Sequence, residues 1–366
     1  MRRLLKWILN ILALVFGLLL AGAYISRVIS PGDFWPISFL GLIFPFLLII
    51  NIIILILLII IRSKFSLLVI GLLVIGWNPI RESFQVLNKN RSTDTSTIVR
   101  VMSYNVQVFD YFQRSGRENR GKMLLDFVAK EKPDIICFQE FLSQNRGDYD
   151  IESIGEQLSF APFKHTKYSY EGRTYKVGLA IFSRYPIVNT GVDHFPVSER
   201  RYIYADVRIN EDTVRIFNIH LESNRLNQKQ INLIDSLISS KPKDKKNEYL
   251  GIVKNMKSAY IERARQADQI NKEVASSPHP VIAAGDFNDT PVSYSYRRIS
   301  SDLQDAFVSS GRGMGATYHE FMFPLRIDFL LHHPELSSSA FVRHEIDFSD
   351  HRPIEASFWL DTSKRK

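Results

Sequence analysis

The chain changes character once, near residue 87, and that break limits what it can fold into. Before it lie three runs without a charged residue: Trp7 to Ser26, Pro36 to Ile61 and Phe65 to Ile80. A bilayer crossing takes about 20 apolar residues. The first two runs are long enough. The third suffices only if Arg81 and Glu82 lie at the interface beside Trp77 and Phe84. Residues 1–87 therefore read as a membrane anchor with two to three transmembrane helices, near 7–26, 37–61 and 65–84. Asn51 interrupts the second run, and its expected role is a contact between helices. Arg2, Arg3 and Lys6 precede the first run, Arg62 and Lys64 follow the second, and only Arg27 lies between them. Cations favour the cytoplasmic side, so three crossings would place the rest of the chain outside. If the third run does not cross, the rest faces the cytoplasm.

The formal net charge of +8 must be read against this break. Of the 46 Lys/Arg and 38 Asp/Glu, nine and two lie at or before Arg91, which leaves 37 against 36. A nearly neutral remainder does not by itself mark a nucleic-acid binder. The single cysteine, Cys137, excludes an internal disulfide. It sits in Ile135-Ile136-Cys137-Phe138 and reads as a buried filler, since a reactive thiol wants a basic, exposed setting.

Residues 88–97 are polar and read as a linker, followed by a second domain over 98–366. Short apolar runs there suggest strands at Ile98–Tyr104, Ile135–Gln139, Gly178–Ser183, Tyr202–Ile209, Val214–Ile219, Val281–Ala284, Ile327–Leu331 and Ile354–Trp359. Helices are expected at Lys122–Lys130 and Lys257–Val274, and an exposed amphipathic one around Ile231, Ile234 and Ile238. The pattern is that of an α/β fold, a two-sheet sandwich with helices outside.

Polar residues break these runs at their ends. Asn105, Glu140 and His220 each close one, Asp286 and Asn288 follow another, Asp328 sits inside one, and Asp350-His351 precede the last. Singly, each is a turn former or a structural polar residue. Their order is more specific. Ser103-Tyr104-Asn105-Val106, Phe138-Gln139-Glu140, Gly178 to Ile187, Asn218-Ile219-His220-Leu221, Gly285-Asp286-Phe287-Asn288, Arg326-Ile327-Asp328-Phe329 and Ser349-Asp350-His351-Arg352-Pro353 together resemble the endonuclease/exonuclease/phosphatase family. That family includes DNases, abasic-site endonucleases, neutral sphingomyelinases and inositol polyphosphate phosphatases. The resemblance spans roughly residues 98 to 360. It implies a four-layered α/β sandwich, two mainly antiparallel sheets flanked by helices, and phosphoester hydrolysis assisted by Mg²⁺, with Mn²⁺ as the alternative ion.

Phosphodiester hydrolysis adds negative charge to phosphoryl oxygens, so it needs a positioned water, nearby positive charge and help for the leaving group. Hard cations take oxygen ligands, which suits Glu140, with Asn105 and Asp350 completing the metal side. Asp286 is the candidate to orient or deprotonate water, and Asn288 to contact the phosphate. The resemblance implies that His351 donates to a phosphoryl oxygen or moves a proton and that Asp328 orients it. It also matches His220 to a histidine serving the leaving group or phosphate. The base is Asp286 or His351. His332-His333 is not a metal pair, because neighbours on a strand face opposite sides.

The expected partners are a phosphodiester, either nucleic acid or a lipid head group, and the bilayer itself. No obligate protein partner is indicated. Lys164 to Lys176, with its tyrosines, offers either a basic, aromatic groove or a solvated loop. The alternatives are an inactive membrane-bound binding module of the same fold and a phosphatase of soluble esters.

Overall fold

The computed structural model describes residues 2–86, 98–112, 119–194, 201–224, 246–320 and 323–360. The expected linker and the segment around Ile231, Ile234 and Ile238 lie outside the described residues.

The N-terminal region is helical: α1 (Arg2–Ile25), α2 (Pro31–Phe34), α3 (Ser38–Leu42), α4 (Phe44–Ile60), α5 (Phe65–Ile75) and α6 (Trp77–Ser83). Among the described residues, only α1 is by itself long and apolar enough to cross a bilayer. The second and third runs are not single helices. Pro31–Leu42 and Phe44–Ile60 meet at 57°, and Phe65–Ile75 and Trp77–Ser83 at 63°. Pro45, just past the first break, has no amide hydrogen to continue a preceding helix, and Pro79 plays the same part near the second. Leu9 and Ala13 pack on Ile54, Leu58 and Val69, while Leu18, Ile60, Leu67 and Ile75 point outward. Asn51 is fully buried and its side-chain amide donates to the carbonyl of Phe16 (3.0 Å), which ties α4 to α1.

The second domain is built on two six-stranded sheets. The first runs β11 (Leu336–Arg343), β12 (Ile354–Leu360), β1 (Val99–Asn105), β2 (Ile135–Gln144), β4 (Tyr175–Ser183), β3 (Phe163–Glu171). The second runs β5 (Ile187–His194), β6 (Arg201–Ile209), β7 (Asp212–His220), β8 (Val281–Asp286), β10 (Asp328–His332), β9 (Gln304–Asp305). Each sheet has one parallel pair at its centre, β1–β2 and β7–β8, and all other pairings are antiparallel.

Alternation along the strands builds four layers. Val101, Ile135 and Cys137 point between the sheets and meet Ile203, Ala205, Ile216 and Ala284. Their neighbours Met102, Ile136 and Phe138 point the other way, onto Leu124, Leu125 and Val128 of α7 (Arg120–Glu131) and Ile154 of α8 (Ile151–Gln157). On the far side, Phe217, Ile219 and Ala283 pack under α9 (Lys246–Ala275) and α10 (Tyr294–Ile299). Strands buried on both faces read as continuous apolar runs, which is why the sequence shows these. Each fully buried Ile or Phe contributes roughly 1.5–3 kcal/mol. Lys164 to Lys176 is not a loop but the β3–β4 edge hairpin, where Lys164 pairs with Glu152 (3.4 Å) and Lys176 with Glu171 (3.0 Å).

Candidate active site

Parallel pairing brings the polar strand ends to one rim. Asn105 at the end of β1 stands opposite Gln139 on β2, and His220 at the end of β7 stands opposite Asp286 at the end of β8. Asp286 also faces Asp328, the first residue of β10. Two backbone features aim the side chains. A bulge in β2 between Phe138 and Phe141 holds Glu140 at φ +49° and turns it toward the rim. Gly285 has φ +149°, and a Cβ there would sit 2.0 Å from the Ile219 carbonyl oxygen, so only glycine lets β8 run this close to β7.

Asp286 is the hub, buried at 1 % exposure. Its carboxylate accepts from the Asn105 amide (3.0 Å) and from the Asn288 backbone N–H (2.7 Å). The ring nitrogens Nε2 of His220 and His351 lie 3.6 Å and 3.7 Å from it. His220 Nε2 is also 3.8 Å from Glu140. His351 pairs its Nδ1 with Asp328 at 2.9 Å, and Tyr318 packs against its ring at 5.0 Å. Ser349 donates to the Asn105 carbonyl (2.8 Å), which fixes the turn carrying Asp350 and His351. The pocket, about 280 Å³, is lined by Asn105, Glu140, Asp286, Asn288, Asp350 and His351 among others. All eight residues singled out from the sequence thus meet here, with Asp328 and His220 behind the wall.

Electrostatics couples the group. Burial works against a charged His351, but Asp328, Asp286 and Asp350 outweigh it and hold its pKa well above the ordinary 6.5. Burial also pushes the Asp286 carboxyl up; His351 opposes this and Asp328 reinforces it. Asp350 is pushed up to about 6, by burial first, with His351 opposing and Glu140 and Glu320 adding. Glu140 and Asp350, two carboxylates close enough for the first to raise the pKa of the second, both line the pocket, as does Asn105. An all-oxygen, anion-rich donor set of this kind fits a hard divalent cation. Asp286, Asp328 and His351 also offer three ligand atoms within 4.8 Å of one another. The 2.9 Å pairing of His351 with Asp328 makes that trio a proton-holding unit first.

The amide hydrogens of Asn288 are engaged by the Leu221 carbonyl (3.0 Å) and by Asp286 (3.3 Å), so it braces Asp286. Several contributors were not singled out as site residues from the sequence. Gln139 and Asn218 hydrogen-bond between the sheets directly beneath the site (2.7 Å), and Asn218 also holds the carbonyls of Phe138 and Ala180. Arg263, fully buried on α9, binds Asp289 (3.2 Å) and the Glu222 carbonyl (2.9 Å). The motifs that contain Gln139 and Asn218 were visible, but a contact between sheets leaves no local pattern.

A sandwich with carboxylates, an amide and two histidines gathered at one sheet edge defines a phosphoester hydrolase. A profile of the Endonuclease/Exonuclease/phosphatase family matches residues 102–351, more than half of the chain, and the chain belongs to that family. The family is divalent-metal dependent. A second profile, described only as a domain of unknown function, matches residues 2–83. Among curated proteins nothing matches. Solved structures similar in fold include an endonuclease/exonuclease/phosphatase family protein from Bacteroides thetaiotaomicron (16% identity, TM-score 0.51, 75% of this chain and 99% of that one). Another is the endonuclease/exonuclease/phosphatase from Bacteroides vulgatus (18%, 0.50, 72% and 100%). A truncated TDP2 from Caenorhabditis elegans aligns at 21% identity and TM-score 0.47, over 72% of this chain and 98% of that one.

Proposed function

We propose that the protein is a membrane-anchored phosphodiesterase that uses Mg²⁺, or Mn²⁺ in its place. The observation that carries this reading is the buried Asp286 carboxylate, shared by His220 and His351 at one end of a pocket that also presents Glu140 and Asp350. Glu140 and Asp350, with Asn105, would hold the cation. When bound, it supplies positive charge to the phosphoryl oxygens.

The residues of the chain do the rest. Asp286, braced by Asn105 and Asn288, orients the attacking water and accepts its proton. His351, kept protonated by its carboxylate neighbours, donates from Nε2 to a phosphoryl oxygen. Asp328 fixes the ring through Nδ1. His220 lies within reach of both Asp286 and Glu140 and serves the leaving group.

The anchor reading extends to a multi-pass arrangement with the catalytic domain outside. Lys6 donates to the Arg62 carbonyl (3.4 Å), and Ser63 meets Asn10 (2.7 Å), so the basic residues gather at one end of the bundle. Arg27 and Glu82 pair at the other end, beside the catalytic domain. Cations at the far end favour a cytoplasmic position for it.

The test is hydrolysis of bis(p-nitrophenyl) phosphate and p-nitrophenyl phosphate by the full chain in detergent. Mg²⁺, Mn²⁺ and EDTA are compared, alongside Asp286→Ala and Glu140→Gln. Diester cleavage that needs the metal and disappears in Asp286→Ala is expected, with weakened Mn²⁺ binding by calorimetry in Glu140→Gln. Preference for the monoester would make it a phosphatase, and metal binding without turnover a binding module.

A further inference from the structure

The apolar N-terminal segment supplies part of the catalytic pocket wall. Leu42, the last residue of α3, lines the same cavity as Asp286 and His351. The loop that follows Asp286 is tied directly to this segment. Thr290 donates to the Gly41 carbonyl (3.4 Å), and Ser26 donates to the Val292 carbonyl (3.3 Å). At Gly41 a Cβ would lie 2.1 Å from the Val292 carbonyl oxygen, so the glycine permits this approach. Val292 itself is buried among Leu20, Ala23, Phe44 and Leu47. Across the opening, Leu325 lines the pocket, and Phe323 packs edge-on against Phe46 of α4 at 4.7 Å. From α9, Tyr260 adds to the wall and stacks edge-on with Phe39 (5.6 Å), while Leu250 and Val253 in its first turns face outward.

The charges that the described residues place at this opening suit a single phosphate. A nucleic acid carries further phosphates beside the scissile one, and its binders receive them with a cationic groove. Among the described residues that line the pocket, the one permanently charged cation is Arg263, which is buried and committed to Asp289. No residue of the basic β3–β4 hairpin lines it. Among the described residues, Leu42 and Leu325 give the pocket an apolar side that is continuous with the helices read as membrane-embedded.

We propose that the substrate is a membrane phospholipid-type diester, held with its phosphate in the pocket and its acyl portion along Leu42 and the exposed face of the N-terminal segment. This rests on the phosphodiesterase reading and names the substrate of that site. Lys257 lies 5.5 Å above the Trp35 ring, next to the exposed Phe34, a pairing of cation and aromatic residues that suits a bilayer surface. In the reaction the water oxygen forms one P–O bond and one ester P–O bond breaks. The proton lost by water ends on the departing oxygen, giving a phosphomonoester and an alcohol.

The experiment uses the full chain reconstituted with Mg²⁺ in vesicles of phosphatidylcholine, phosphatidylethanolamine, phosphatidylglycerol and sphingomyelin. Bis(p-nitrophenyl) phosphate and a short oligonucleotide are assayed in parallel. Hydrolysis of a vesicle lipid is expected. The ratio of lipid to reporter cleavage should fall by about tenfold or more in Leu42→Asp and be retained in Leu42→Met. Reporter cleavage without cleavage of any vesicle lipid, or with the oligonucleotide preferred, overturns the lipid assignment and leaves the phosphodiesterase standing. An unchanged ratio in a folded Leu42→Asp protein removes Leu42 from the substrate path and overturns the proposal. Failure on reporter, lipid and oligonucleotide alike overturns the phosphodiesterase reading, and the lipid assignment falls with it.

Discussion

The chemistry of the site depends on where one proton sits. His351 lies between Asp328 at 2.9 Å and Asp286 at 3.7 Å, and these carboxylates keep the imidazole charged although it is buried. Replacing Asp328 by Asn removes one of those charges while leaving the volume nearly unchanged. Because the pKa of His351 is raised in the folded protein, its protonated form persists below that raised value and is lost above it. Asp328→Asn should therefore lower kcat by about 10²–10⁴, with a smaller change in KM, and move the alkaline limb of the pH–rate profile to lower pH. Steady-state kinetics on a soluble diester measure all three. A variant with full kcat and an unmoved alkaline limb would show that His351 acts without help from Asp328. The residues of this trio were legible in sequence because each is a polar residue that follows, interrupts or precedes an apolar run. Their distances were not, because three separate strands and turns supply them.

At the scale of elements, cross-strand pairs and close approaches decide what can move. Asp206 on β6 stands opposite Arg215 on β7, and the guanidinium forms a two-pronged contact at 2.7 Å and 2.9 Å, with the Asn189 amide also donating to Asp206. Burial raises the Asp206 pKa, but Arg215, Asn189 and His279 outweigh burial and leave it below the ordinary value. A depressed folded-state pKa stabilises the fold above the unfolded value of about 3.9, and the contribution is lost as pH falls through the folded one. Asp206→Asn should cost about 3–5 kcal/mol near neutrality, and urea titrations should show the gap closing below about pH 4. A gap that persists in acid would assign the loss to packing. A second element-scale test concerns α3. Gly41→Ala places a methyl group against the Val292 carbonyl and should cost about 1–3 kcal/mol. It should also lower kcat on a soluble diester, since the displaced loop carries Asp286 to Asp289. Unchanged stability and kcat would mean that the loop stands without α3. Both contacts were invisible in the sequence. Asp206 and Arg215 lie within runs that show only as short strands, and Gly41 within a long apolar run, with no local sign of their partners.

At the scale of the whole molecule, the two halves pack against each other. The N-terminal helices cover Val292, Ile252, Met256 and Tyr260 of the catalytic domain with apolar side chains. Arg326, two residues before Asp328, donates to the Glu82 carbonyl (2.6 Å) and to Asp305 (2.9 Å), so α6 is also attached to the strand that orients His351. A chain beginning at Ile98 should therefore expose an apolar patch, melt at a lower temperature than the full chain in detergent, and self-associate. Calorimetry and light scattering would show this. A monomeric fragment with the full melting temperature would mean that the helices merely tether the domain.

The sequence by itself determined the family and the central strands, and it singled out the eight candidate residues that the fold brings to one rim. Long apolar runs, strands buried on both faces and polar residues at strand ends are local patterns, and local patterns survive in one dimension. The breaks at Ile43 and Gly76, the bulge at Glu140, the edge strands β3 and β11 and the bracing of the site by Gln139 and Asn218 were decided by tertiary structure. So was the place of Leu42 in the wall of the candidate pocket. Each depends on which distant segment lies alongside, and the free energy of such a contact appears only once the chain has brought its partners together.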